Sequence, residues 1–244
     1  MEFDLAQTKS RTKSSSVDFI RPTSGDLSRL TSTPERLADR AYRMLEEMIV
    51  TLQLPPGSTW SAIALSERLG IGRTPVLQAL QRLVLDQLVE VVPRYGVVVT
   101  DVVVPEQILV VEARRALEPM IASRATRRST PHEKVEIARF ADKILEVGSS
   151  GSGQEYLRLH YFARHYVASC TRNKFLQSSL EPLDALSRRF FYVHQTKPSQ
   201  VMDAARLFSD VLRAIASDNE NAAINSVQAF LDFVDEFTRG ALIG

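Results

Sequence analysis

Cysteine is nearly absent: Cys170 stands alone among 244 residues. No disulfide can form within one chain, which suits a reducing compartment. Long apolar runs are missing too. None approaches the ~20 residues needed to cross a bilayer, and residues 1–16 are polar without the apolar centre of an export signal. A cytoplasmic protein with no membrane association is expected. An excess of either charge is also lacking. With 30 Lys and Arg against 29 Asp and Glu, the net charge is +1, so any nucleic acid contact must come from a local basic face. Enzymatic motifs are absent as well: there is no Gly-rich phosphate loop, no H-E-x-x-H and no nucleophile elbow. His160 and Cys170 share a helical stripe, but ten residues rise about 15 Å, too far for a dyad. An enzyme is not expected. No internal repeat is found.

What is present is ordinary globular material, 44% hydrophobic and 24% charged. The length leaves room for one large or two modest domains at roughly 100–200 residues each. Residues 1–33 are rich in Ser, Thr, Lys and Asp without an apolar period, and read as a flexible arm. Such an arm is either a plain tail or a DNA-touching strand using Lys9, Arg11 and Lys13. A first helix is expected to start near Thr33 with Pro34 in its first turn. Leu37, Ala41, Leu45, Met48, Ile49 and Leu52 follow at helical spacing, and Leu54-Pro55-Pro56-Gly57 stops it. A short helix over Ala62 to Leu69, a break at Gly70-Ile71-Gly72, and a third helix from Arg73 to about Asp86 follow. Two β-branched runs, Leu88 to Val92 and Val97 to Thr100, flank a four-residue loop, Pro93-Arg94-Tyr95-Gly96. Three helices and a hairpin in this order make a winged helix-turn-helix over residues 34–104.

From Pro105 onward only helical pattern is seen. Helices are expected from Pro105 to Arg128, from a capping box at Thr130-Pro131-His132-Glu133, from Gln154 to Thr171, from Lys174 to His194 with a break or bend at Pro182, from Pro198 to Ala216, and from an Asp218-Asn219 cap to Arg239. Gly148 to Gly153 reads as a loop. The fold class is therefore mainly α: a winged helix-turn-helix joined to an all-α antiparallel bundle over residues 105–244.

A helix in the major groove reads bases from its N-terminal, outward residues. Val76, Leu80 and Leu83 share the inner face of the third helix, which leaves Arg73, Thr74, Gln78, Gln81 and Arg82 outside. Arg73 can reach a guanine edge or a phosphate, Thr74 a phosphate, and Arg82 the backbone or a base. At the wing tip Arg94 and Tyr95 can lie along a minor groove, with Gly96 permitting close backbone approach. The same pattern also serves structural or protein-binding modules, in which Arg73 and Arg82 are solvated charges.

The run Leu69-Gly70-Ile71-Gly72-Arg73-Thr74-Pro75-Val76, then Ala79 to Leu83, Val89 to Pro93, and Gly96, resembles the winged helix of the GntR family over about residues 36–104. The rest is similar to the FCD effector domain of the FadR subfamily, with Arg114 and Leu117-Glu118 as its opening signature. The resemblance implies a homodimer on a two-fold symmetric double-stranded DNA operator, released or retained by a small organic acid, with repression as the usual sign. It also marks a departure. Where the family has Arg-Glu after Pro-Val, this chain has Leu77-Gln78. An exposed Leu77 can meet a thymine methyl, so the operator should differ from those of relatives. The alternative is an adaptor that keeps the fold but has lost specific DNA binding.

The FCD resemblance further implies a buried Asp/His metal cluster. Its positions fall here on His160, Arg164, Phe208 and Phe230. A guanidinium and two phenyl rings are not metal ligands, so neither a structural metal nor another cofactor is expected. On the 154–171 helix, Tyr156, Leu159, His160, Ala163, Val167 and Cys170 form one stripe with Arg164 on its flank, and His165 falls on the opposite, solvated side. Arg114 is expected to hold the acid's carboxylate, as family members use this arginine. Arg189, nearer its apolar stripe than Arg188, and the hydroxyl of Tyr192 are further effector candidates, with Phe208 and Phe230 as apolar wall. His160 can equally be a satisfied core histidine, and Arg164, Arg188 and Arg189 interface or surface charges.

Overall fold

The computed structural model describes residues 36–242. Lys9, Arg11, Lys13, Thr33 and Pro34 lie outside them. The described chain begins its first helix, α1, at Leu37–Val50, followed by β1 (Thr59–Trp60), α2 (Ala62–Leu69), α3 (Arg73–Leu85), β2 (Val89–Val92) and β3 (Gly96–Val99). The helical part consists of α4 (Val104–Arg128), α5 (Pro131–Ser150), α6 (Gly153–Cys170), α7 (Lys174–His194), α8 (Pro198–Ala216) and α9 (Glu220–Gly240).

Local chemistry sets most of these boundaries. Ser61 caps α2 by accepting from the amide of Ala64, and Gly70 ends it in the left-handed conformation. Thr130 and Glu133 close the capping box that starts α5, and Asn219 caps α9. The sheet is antiparallel in the order β1-β3-β2. Strand β1 was not evident from the sequence, because two residues carry no period. The wing turn is one residue shorter than expected, since Gly96 pairs with Val92 inside the ladder. At φ +108°, Gly96 sits where an added Cβ would lie 2.5 Å from the Trp60 carbonyl oxygen. The close backbone approach that Gly96 permits is thus to the neighbouring strand β1.

Two expectations about breaks are corrected. Helix α5 runs through Gly148 to Ser150 and ends at Gly151 in the left-handed region. Gly148 is helical, and α8 passes so close that a Cβ there would meet that of Ala205 at 2.4 Å. Helix α7 continues across Pro182. The proline forfeits one backbone hydrogen bond, and packing against α1, α4 and α6 on its flanks outweighs that loss.

Two hydrophobic cores form. One gathers Leu45, Ile49, Leu65, Val76, Leu83, Val99 and their neighbours in the winged helix. The other fills the bundle from α4 to α9. The division at residue 104 is not clean in packing terms, because Ala185 and Leu186 of α7 join the first core.

Candidate nucleic-acid interface and effector cavity

Helix α3 buries Val76, Ala79, Leu80 and Leu83 and turns Arg73, Thr74, Leu77, Gln78 and Gln81 outward. Gly72 precedes it with no side-chain cap. Its first-turn amides therefore remain available, the arrangement that receives a phosphate at a helix N-terminus. Leu77 is 46% exposed in the middle of this polar face. An apolar side chain left in water there gains from contact with an apolar base edge. The wing tip presents Arg94 and Tyr95, both exposed, with Arg94 at φ +70°. Arg82 departs from expectation. Its guanidinium binds Asp39 at 2.7 Å and lies 3.9 Å over the ring of Tyr42, both on α1. It fastens α3 to α1 while its side chain stays 40% exposed.

Inside the bundle, six charged side chains form a continuous ladder. Arg114 donates from Nε to Glu118 on the next turn of α4 at 2.5 Å. Glu118 accepts from both terminal nitrogens of Arg164 on α6 at 3.1 and 2.9 Å. Arg164 Nε faces Asp184 of α7 at 2.8 Å, and Asp184 accepts from Arg188 at 2.9 Å. Arg188 in turn donates to Glu46, on α1 of the winged helix. All six are buried. Burial alone would raise the Glu118 carboxyl, but Arg114 and Arg164 hold it down at about 2. Arg164 and Arg188 likewise keep Asp184 well below the usual carboxylate range against its burial. At the far end burial wins: Glu46 is lifted to about 7 despite Arg188.

His160 lies beside this ladder. Its ring is 4.3 Å from that of Phe208 and 5.9 Å from that of Phe230, and its Nδ1 is 3.8 Å from Asp184. Burial pushes its imidazole well below its ordinary range, so the ring is neutral. Neither nitrogen has a hydrogen-bond partner, so it is a core histidine but not a satisfied one. The four positions aligned with the family's metal cluster thus do meet in space. Their chemistry does not suit a divalent ion. Arg164 supplies a fixed cation there, and it already occupies the carboxylates of Glu118 and Asp184.

A cavity opens next to Arg114, His160 and Arg188. Tyr156, Phe190, Phe191, Phe230, Phe233 and Phe237 supply most of its wall. Arg114 Nη2 is buried at its edge with no protein acceptor. Phe208 borders a second void with Glu118 and Arg164. Two expected effector residues are elsewhere. Arg189 is buried, but it donates to the Thr100 carbonyl and hydroxyl and to the Asp101 carbonyl at 3.0–3.1 Å. It pins the segment joining β3 to α4, because the α7 face it occupies looks toward that segment. Tyr192 is half-buried against the bundle core and does not line the cavity. His165 is corrected too. Its ring lies 4.1 Å from that of Tyr161, tilted at 45°, and burial lowers its imidazole to about 4.

Sequence reasoning noted Glu118 only as part of the FCD signature, and passed over Asp184 and Glu46. Signals existed. Arg114 with Glu118 and Asp184 with Arg188 are i,i+4 pairs of opposite charge. Glu46 interrupts the apolar stripe of α1 between Tyr42 and Ile49.

Residues 37–99 match the family described as bacterial regulatory proteins, gntR family, and residues 109–233, just over half the chain, match the FCD domain. An uncharacterized HTH-type transcriptional regulator in the TAR-I ttuE-ttuC' intergenic region of Agrobacterium vitis is 30% identical over 126 residues, which are 50% of this chain and 74% of that protein. The HTH-type transcriptional repressor GlaR of Escherichia coli (strain K12) is 26% identical over 190 residues, 71% of this chain and 86% of its own length. The fold is shared with E. coli McbR/YncC, at TM-score 0.74 and 18% identity over 85% of this chain and 99% of that one. A GntR regulator from Rhodococcus sp. RHA1 follows at TM-score 0.63 and 19% identity, covering 84% and 98%. With the winged helix and the helical domain matched in order along one chain, the protein belongs to the GntR family of DNA-binding transcription regulators, carries an FCD domain, and is not an enzyme.

Proposed function

We propose that the protein is a homodimeric, cytoplasmic repressor whose hold on a two-fold symmetric operator is controlled by a small carboxylic acid bound against Arg114. In this reading residues 34–104 read DNA and residues 105–244 bind the acid and dimerise. Arg73, Thr74, Leu77 and Gln78 meet the major groove, and Arg94 and Tyr95 meet the flank. The observation that carries the reading is the ladder from Arg114 to Glu46. An acid that accepts from Arg114 competes with Glu118 for the same guanidinium. Glu118 then leans on Arg164, and the change passes through Asp184 and Arg188 to the helix that supports α3. An effector works only through its different affinity for two states, and two alternative pairings of one arginine are such a difference. Half-sites one helical turn or so apart make operator affinity sensitive to small changes in the spacing of the two winged helices. The repressor sign is supported by the name of the E. coli relative GlaR.

The test is selection of genomic fragments by the purified protein, with bound sites re-measured at two salt concentrations and with added acids. A two-fold symmetric site released by an acid is the expected result. Weak binding to any sequence, lost at moderate salt, would instead favour the adaptor reading. The observation behind that second reading is Leu77, an apolar residue where relatives carry a DNA-contacting arginine.

A further inference from the structure

We infer that the Arg114 cavity takes a carboxylic acid with a single charge and an apolar body. Polyhydroxylated acids and di- or tricarboxylates are excluded. The inference rests on the reading of this cavity as an acid-binding site and narrows the acid's chemistry.

Arg164 is committed to Glu118 and Asp184, and Arg188 to Asp184 and Glu46, with its Nη1, which makes no hydrogen bond, facing a third carboxylate, Glu47, at 3.7 Å. Arg114 gives only Nε to Glu118 and keeps Nη2 unpartnered, although its side chain is 2% exposed. A buried donor without an acceptor costs free energy, which a ligand oxygen recovers. One such guanidinium edge matches one carboxylate. His160, neutral and unpartnered, lines the same cavity and can donate one N–H to the second carboxylate oxygen.

The remainder of the wall is mostly aromatic, with the Tyr156 hydroxyl, Arg188, Gln107 and Ser187 as its other polar groups. Gln107 and Ser187 also line the cavity, but Gln107 donates to Ser187 at 3.1 Å, so the pair is mutually engaged. Opposite the charged end the surface is aromatic. The Phe191 and Phe237 rings are 4.9 Å apart, Tyr156 is 5.9 Å from Phe191, and Phe233 is 6.3 Å from Phe237. Hydroxyls or a second carboxylate placed there would lose water and find no partner, whereas a flat apolar body gains both burial and ring contacts.

The experiment is calorimetric titration of the full-length protein with phenylacetate, gluconate, succinate and the neutral phenylacetamide. Phenylacetate is expected to bind at least about tenfold tighter than each of the others, the scale of discrimination for a mismatched polar group or lost charge pair. The Phe233→Ala variant should weaken phenylacetate by roughly tenfold while still unfolding cooperatively. Arg114→Gln should abolish binding. If that variant fails to fold, the phenylacetate-to-phenylacetamide ratio and Phe233→Ala carry the test. Binding of gluconate or succinate as tightly as phenylacetate would overturn the apolar-body inference and leave the acid-effector reading standing. Binding of phenylacetamide as tightly as phenylacetate, or of none of the acids, would overturn both.

Discussion

Arg73 and Arg94 stand on the outside of the winged helix with no protein partner among the described residues, while Arg114, Arg164 and Arg188 are each about 2–5% exposed and already hold a carboxylate. The side chain is the same and the energetics are opposite. An exposed guanidinium contributes little to stability and is free to neutralise a phosphate, with an affinity that salt screens. A buried one is held by its carboxylates, is hardly screened, and leaves an uncompensated charge behind if removed. DNA contact therefore asks for arginines that the fold does not use. A ligand switch asks for arginines whose partners can be exchanged.

The strongest test of this contrast is Arg164→Met, which strands Glu118 and Asp184 without their shared cation. A loss of about 3–5 kcal/mol in chemical denaturation is expected. A loss below about 1 kcal/mol would mean that the ladder is solvated and behaves like a surface pair. On the exposed side, Arg73→Ala should leave unfolding unchanged within about 0.5 kcal/mol. It should weaken operator binding by about 1–3 kcal/mol in a gel-shift titration. If the loss is uniform across sequences and the salt slope falls by about one, Arg73 meets a phosphate; if specificity relaxes at one base pair, it reads a guanine.

The smallest effect concerns His165. Its pKa falls from 6.5 to about 4 because burial disfavours the charged ring, so the unfolded chain takes up a proton before the folded one does. Its contribution is present above pH 6.5 and is lost as pH falls toward 4. The stability of the protein relative to His165→Gln should therefore drop by about 1–2 kcal/mol across that interval, followed by thermal melts at stepped pH. A flat difference would return His165 to the solvated face that helical periodicity assigned to it.

Periodicity, caps and turn residues made the nine helices of the described region and the wing legible, because each depends on neighbours within a few positions. The outward residues of α3 were legible for the same reason: 3.6-residue geometry puts Val76, Leu80 and Leu83 on one side and leaves Arg73 and Gln78 on the other. The limits of this logic appear at Arg82 and His165. Both lie on faces that a lone helix would expose, and α1 covers Arg82 with Asp39 and Tyr42. Gly148, read as part of a loop, is helical, and the close passage of α8 requires glycine there; Pro182, read as a break or bend, does not end α7, which flanking helices hold.

The sequence alone thus determined the order of the helices and the wing hairpin, the winged helix with its outward face, and the family. It also placed His160, Arg164, Phe208 and Phe230 at one point by analogy. Only tertiary structure decided which arginine does what. Arg188 and Arg189 are adjacent and chemically identical, yet one ends the ladder on Glu46 while the other pins Thr100 and Asp101. Helical rotation of about 100° between neighbours sends them to different surroundings. What waits there, a carboxylate 142 positions away or a backbone carbonyl 89 positions away, is fixed by how the helices pack and not by any local pattern.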